Sequence, residues 1–169
     1  MESKFTYRLI KHSEISSDLI ELICSLKKKR WNYSIESHKK WMLDNIQNDD
    51  YHLIVYENSI PVAYMNLVEI EVIINGNVHN FKGIGNVCTV ETGKGYGNIL
   101  MLMCNEVIIN NNWKGVLICK NHLIAYYNKF GWDLIDCNKI VSKALESTYF
   151  MYFNVESDIE KFDYSGRNF

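Results

Sequence analysis

Three glycines at alternate positions, Gly93, Gly95 and Gly97, stand between a β-rich apolar run that ends at Val90 and a long apolar stretch from Asn98 to Ile109. In that stretch Ile99, Leu102, Met103, Glu106 and Val107 recur at helical spacing, so the local order is strand, glycine loop, helix. Without side chains at the alternate positions, consecutive backbone N–H groups in Thr92-Gly93-Lys94-Gly95-Tyr96-Gly97 can converge on one anion. The helix behind the loop contributes its unpaired first-turn N–H groups, Asn98 among them, and about half a positive charge. Lys94 adds a full charge. A diphosphate suits such a site. Turn geometry in a plain connection is the other use of the same glycines, and the surrounding chain has to separate the two.

Two common phosphate loops are excluded. A Walker loop needs Gly-Lys-Ser/Thr, and Lys94 is followed by Gly95. A dinucleotide fingerprint needs G-x-G-x-x-G opening a βαβ unit, whereas here the glycines alternate and the preceding strands read as a meander. His52 to Tyr56 and Pro61 to Leu67 are β-rich runs separated by hairpin residues, Glu69 to Ile74 extends the second, and Asn75-Gly76 supplies a tight reversal into Val78, His79, Phe81 and Ile84 to Val90.

Ahead of the meander, Tyr7 to Ile10 reads as a strand. Asp18 to Leu26 reads as a helix capped by Ser17 or Asp18, and a second helix opens near Ser34 or Ser37, turning Ile35, Trp41, Met42 and Ile46 inward. The basic run Lys27 to Arg30 completes the first helix, where cations suit the C-terminal end and point into solvent. Behind the long helix come a short strand at Val116 to Cys119, a helix from His122 to Phe130 stopped by Gly131, and strands at Leu134 to Cys137 and Tyr149 to Val155. Glu156 to Phe169 is a polar tail with aromatics, docked or frayed.

The bulk composition narrows the class. The 169 residues, 47% of them hydrophobic, suit one domain over residues 1–169. A net charge of −2 gives no general attraction to nucleic acid. The longest apolar run, Ile99 to Cys104, is far short of the roughly 20 residues that span a bilayer, so no membrane partner is expected. The five cysteines are scattered in apolar stretches, unlike a disulfide framework or a metal site, so the expectation is reduced thiols in the cytoplasm and no metal.

The stretch Gly85-Asn86-Val87-Cys88-Thr89-Val90, with Thr92-Gly93-Lys94-Gly95-Tyr96-Gly97 and the apolar helix after it, resembles motif A of the GNAT superfamily of N-acetyltransferases. Downstream, Ala125-Tyr126-Tyr127-Asn128-Lys129-Phe130-Gly131-Trp132 is similar to that family's motif B. The spacing from Gly115 through Tyr127 to Gly131-Trp132 also resembles aminoglycoside acetyltransferases of the 2′-N class. The resemblance implies an α/β (α+β) GNAT fold: a mixed, mostly antiparallel twisted sheet of about six to seven strands flanked by about four helices. It further implies acetyl-CoA as acyl-donor cosubstrate and a primary amine of a small molecule or peptide as acceptor, with a homodimer left open. Thr92 stands where the family most often has Arg or Gln, and the connection from Thr89 to the glycines is about two residues shorter than usual. An acyl-CoA-binding or sensor module without useful turnover is therefore the alternative.

The same resemblance assigns roles. Backbone groups of Val87, Cys88, Thr89 and Val90 would receive the pantetheine arm and stabilise charge on the acyl oxygen, and residues Thr92 to Asn98 would hold the diphosphate. Asn121, just before the last helix, would reach the cofactor, although capping that helix is the other use of Asn there. Tyr127 matches the tyrosine that protonates the departing thiolate, with aromatic packing of Tyr126, Tyr127 and Phe130 as the competing use. For the base, Glu69, Glu71, His79 and Glu91 lie on or beside substrate-facing strands and none stands out. Cys88 reads as a packed thiol with no histidine partner to activate it.

Overall fold

The computed structural model describes residues 4–142 and 147–169. The chain divides into two compact units, the first made of Met1–Val68, Gly85–Cys104 and Phe169, the second of Glu69–Ile84 and Asn105–Asn168.

The first unit holds β1 (Phe5–Lys11), α1 (Ser17–Arg30), α2 (Ile35–Asn45), β2 (Tyr51–Glu57), most of β3 (Ile60–Ile74), the end of β4 (Asn77–Thr89) and the start of α3 (Tyr96–Asn110). β1 runs antiparallel to β2, from Phe5 opposite Glu57 to Lys11 opposite Tyr51. β2 is likewise antiparallel to β3, with a register shift between Val55 and Tyr56. The turn between β2 and β3 is shorter than its sequence suggests: Glu57 is still in the strand, and Asn58 and Ser59 make the reversal at φ of 47° and 69°. Two successive positive φ values give the twist that right-handed strands need, and Asn tolerates them better than most residues. Leu53, Ile54, Val55, Ala63, Met65, Leu67, Ile23 and Cys24 are buried and form the core here.

The cap of α1 is Ser16, one residue earlier than expected, with its hydroxyl accepting from the Leu19 N–H at 3.3 Å. Ser34 caps α2 in the same way, accepting from the Ser37 N–H at 3.1 Å. In α2 the inward residues are His38, Met42 and, just past its end, Ile46, while Ile35 and Trp41 stay half-exposed.

In the second unit the tip of the β3–β4 hairpin reverses at Asn75-Gly76, with φ of 52° and 84°. β5 (Gly115–Lys120) lies parallel to β4 through Lys82 opposite Gly115, β7 (Thr148–Phe153) is antiparallel to β5, and β6 (Asp133–Leu134) adds to β7. β8 (Phe162–Asp163) pairs with Ile73 and Ile74 of β3. The tail is thus docked, with Ile159, Phe162 and Tyr164 buried. Of Leu134 to Cys137, expected as a strand, only Leu134 lies in β6; the Ile135 N–H still bonds the Phe150 carbonyl, and the chain then tightens into a 3-10 turn at Cys137–Lys139. Among the described residues there are eight strands and four α-helices, and β4–β5 is a parallel pairing beside the antiparallel pairs β1–β2, β2–β3, β3–β8, β5–β7 and β6–β7. Among the described residues no helix is long and apolar enough to cross a membrane.

Candidate functional site

In the first unit, the end of β4 carries a residue in the left-handed region. Asn86 has φ of 52°, inside a run that otherwise reads as regular strand. A left-handed, non-glycine residue in a strand re-aims the side chains around it, a device that clusters beside functional sites. The Asn86 amide donates to Asn66 Oδ1 at 2.6 Å, and the Asn66 Nδ2 group is buried with no hydrogen-bond acceptor among the described residues. Beyond it, Val87 and Thr89 are half-exposed and Cys88 is buried. Burial pushes the Cys88 thiol up to about 12, so it is a packed group and no nucleophile. The Val90 N–H, one of the expected oxyanion donors, is already given to the Val62 carbonyl at 2.9 Å. That donor is committed to the sheet.

Thr92 to Gly95 form an exposed loop. Gly93 and Gly95 have φ of 78° and 76°, and a Cβ built on either would meet nothing within 4 Å. Glycine is required there by the backbone conformation, and the space that side chains would fill is open to a ligand. α3 begins at Tyr96, two residues before the expected start, so Tyr96 and Gly97 belong to its first turn. The Asn98 N–H bonds the Gly95 carbonyl at 3.0 Å, whereas helix geometry gives the Tyr96 and Gly97 amides no carbonyl within the helix. Tyr96 is turned away from the loop's open side. Its hydroxyl donates to Glu57 at 2.8 Å and its ring meets Phe5 edge-on. Glu57 also pairs with Lys4, and these two partners, Lys4 first, hold its carboxyl below the usual value. The exposed loop, the open glycines and the helix start fit a diphosphate held by main-chain amides.

A cavity of about 600 Å³ opens in the same unit, walled by Trp31, Tyr33, Trp41, Lys27, Asn86 and Phe169. Lys27 was expected in solvent with Lys28, Lys29 and Arg30. Those three are exposed, but Lys27 is only 2% exposed. Its ammonium lies 3.9 Å from the centre of the Trp41 ring, and among the described residues no side-chain carboxylate pairs with it. Desolvation lowers its pKa to about 8. The signal was in the sequence: Ile20, Ile23, Cys24 and Lys27 follow the i, i+3, i+4, i+7 stripe that faces a helix's buried side.

The same unit holds a polar chain that is buried at His52 and Tyr64 and half-buried at His12. His12 Nδ1 lies 2.9 Å from His52 Nε2, and His52 Nδ1 lies 2.8 Å from the Tyr64 hydroxyl. Burial, with smaller contributions from His12 and Lys27, lowers the His52 pKa to about 3, so the ring is neutral.

In the second unit, α4 (Asn121–Asn128) carries Asn121 and Tyr127. Asn121 is the first helical residue and is exposed; Lys120 occupies the cap position without a side-chain cap, so Asn121 is not spent on capping. Tyr127 is 8% exposed, with Tyr126 edge-on to it at 5.1 Å. The turn after α4 is clamped by Asn105, whose amide donates to the Phe130 carbonyl at 2.7 Å and whose oxygen accepts from Trp132 Nε1 at 2.9 Å. Gly131 makes that turn at φ of 78°. Of the base candidates, Glu69 is ion-paired with the buried Lys82, and His79 sits 3.4 Å from the Lys114 ammonium. Glu71 and, in the first unit, Glu91 are exposed.

This architecture is that of the GNAT N-acyltransferases. ElaA of Escherichia coli superposes with a TM-score of 0.62 at 19% identity, over 88% of this chain and 98% of its own. An acyl-CoA N-acyltransferase from Pseudomonas aeruginosa gives 0.63 at 18% identity, over 87% and 98%. The PaiA N-acetyltransferase of Thermoplasma acidophilum, solved in complex with coenzyme A, gives 0.56 at 14% identity, over 87% and 98%. At such identities the likeness is one of fold. No family model matches the chain, and no curated protein does.

Proposed function

We propose that this chain is an acetyl-CoA-dependent N-acetyltransferase that acylates a primary amine by direct transfer. The observation that carries the reading is the pair Gly93 and Gly95, both left-handed and both open, placed directly before the first turn of a 15-residue helix. Acetyl-CoA supplies an acyl group already activated as a thioester, and the amides from Thr92 to Gly97, with Lys94, would hold its diphosphate. Main-chain groups of Val87, Cys88 and Thr89 would stabilise the charge that develops on the acyl oxygen. Forming the amide C–N bond at the expense of the C–S bond releases one proton from nitrogen and requires one at sulfur. The Tyr127 hydroxyl is the donor for the second, since a phenol is protonated at neutral pH. Asn121 assists in holding the donor. The reading that the chain binds acyl-CoA without useful turnover is favoured by Thr92 and by the committed Val90 amide.

Thermal unfolding with added acetyl-CoA tests the first half. A hundredfold excess over the dissociation constant stabilises by about 2.7 kcal/mol. Gly95→Val, which forces a β-branched residue into φ of 76°, should remove that shift while sparing the fold, since its side chain meets nothing. Thiol release with a panel of amines tests the second half. An absent shift, or equal protection by ATP, defeats the proposal; a shift with no amine-dependent thiol release selects the binding module.

A further inference from the structure

The cavity beside β4 is lined by a buried ammonium, Lys27, and a second buried donor without an acceptor among the described residues, Asn66 Nδ2, lies behind Asn86 of its wall. Lys27 is a buried ammonium with no side-chain carboxylate partner among the described residues, held only over the face of Trp41. Buried charges are almost always paired, because leaving an ion desolvated and uncompensated is costly. The second donor is Asn66 Nδ2, on a residue that is 0% exposed. Asn66 is tied to the cavity through Asn86, which lines the cavity and donates to Asn66 Oδ1. Its Nδ2 also lies 3.4 Å from the point where a Cβ on Gly85 would sit, and the Phe169 carbonyl carbon lies 2.3 Å from that point. The space left by the missing side chain of Gly85 is thus filled by the backbone of Phe169, and the open part of the cavity is the part that Lys27 lines. The rest of the wall is aromatic, with Trp31, Tyr33 and Trp41. His38 does not compete for an anion, since its Nε2 is given to the Trp31 carbonyl at 3.1 Å.

From these observations we infer that the acceptor of the transfer is an amine that also carries a carboxylate and an aromatic body, the chemistry of an aromatic amino acid. Lys27 takes the carboxylate, and the indole and phenol walls take the ring. The amine is then left to approach Val87, Cys88 and Thr89, which follow Asn86 directly along β4. Only that nitrogen reacts, exchanging one proton for the acyl carbon, while the carboxylate stays intact and acts as a handle. The assignment of this cavity to the acceptor rests on the transferase reading; its affinity for an aromatic carboxylate does not.

The experiment therefore has two arms. In the first, 3-phenylpropionate and its amide, neither of which can be acetylated, are titrated into the protein by calorimetry. The carboxylate should bind roughly 10- to 100-fold more tightly than the amide, the range expected for hydrogen bonds to a charged group. Lys27→Met should bring the two to equal affinity. In the second, acetyl-CoA turnover of phenylalanine is compared with that of phenethylamine. The KM for phenylalanine should be lower by a similar factor, and Lys27→Met should bring the two KM values together. Equal affinity of wild-type protein for the acid and the amide overturns the inference, and this comparison needs no variant to fold. If no amine turns over but the acid still binds selectively, the transferase reading fails and the anion site stands.

Discussion

At the residue scale, two side chains separate chemistry from packing. Tyr127 is buried among aromatics, as either use would have it, so only removal of the hydroxyl can tell them apart. Tyr127→Phe keeps the ring. If the phenol is the acid, kcat falls about 100-fold or more while the acetyl-CoA thermal shift persists; if it merely packs, turnover survives. Lys27 makes the opposite kind of prediction, because it costs stability. Its pKa of about 8 means that the folded state disfavours the ammonium relative to solvent. Lys27→Met should raise stability to urea at pH 7, on the order of 1–3 kcal/mol. The gain should shrink towards pH 10, because between about 8 and 10.5 the unfolded chain retains a proton that the folded one has released, so the wild type becomes more stable as pH rises.

At the scale of elements, close approach decides one outcome and legibility the rest. β5 begins at Gly115, where a Cβ would stand 2.6 Å from the Trp132 ring and 3.0 Å from Ile108 Cδ1. Both neighbours are buried, so Gly115→Ala should cost about 1–3 kcal/mol, read as a lower urea midpoint at unchanged slope. Elements set by local rules were legible from sequence. Asn75-Gly76 announced its turn, Ser34 its helix, and the apolar stripe after Gly97 announced α3. Elements set by tertiary pairing were not. β8 is two residues that become a strand only because Ile73 and Ile74 receive them. Leu134 to Cys137 has strand composition, but within it only Leu134 belongs to a strand pair, with the Ile135 N–H still reaching the Phe150 carbonyl. The left-handed Asn86 breaks no pattern of residue types, and so the distortion of β4 was invisible. The loop of the candidate site was nonetheless readable, because Gly93 and Gly95 stand out in the sequence and take the left-handed conformation that favours glycine. The cavity proposed for the acceptor was not, because it is assembled from α1, α2 and β4, and Lys27, the residue that marks it, stands in a basic run whose pattern points to solvent.

At the scale of the whole molecule, the buried His12–His52–Tyr64 chain ties folding to acidity. His52 is 0% exposed and its pKa is about 3, chiefly through desolvation, whereas in the unfolded chain it titrates near about 6.5. A base whose folded pKa is depressed contributes stability that is complete above the unfolded value and is lost as pH falls through that window. Below about 6.5 the unfolded chain takes a proton that the folded core refuses, so stability should drop by about 1.4 kcal/mol for each pH unit down to about 3. His12 is lowered in the same direction by burial, against an opposing pull from Asp50, and adds to the slope. Urea unfolding at pH 6.5 and pH 5 should therefore differ by about 2 kcal/mol from His52 alone. In His52→Gln the neutral amide still reaches for His12 and the Tyr64 hydroxyl but cannot titrate, and most of that difference should vanish. If the variant keeps the full acid loss, His52 is not the group that sets it, and the Glu57 carboxyl, held below its usual value by Lys4 and Tyr96, becomes the source to test.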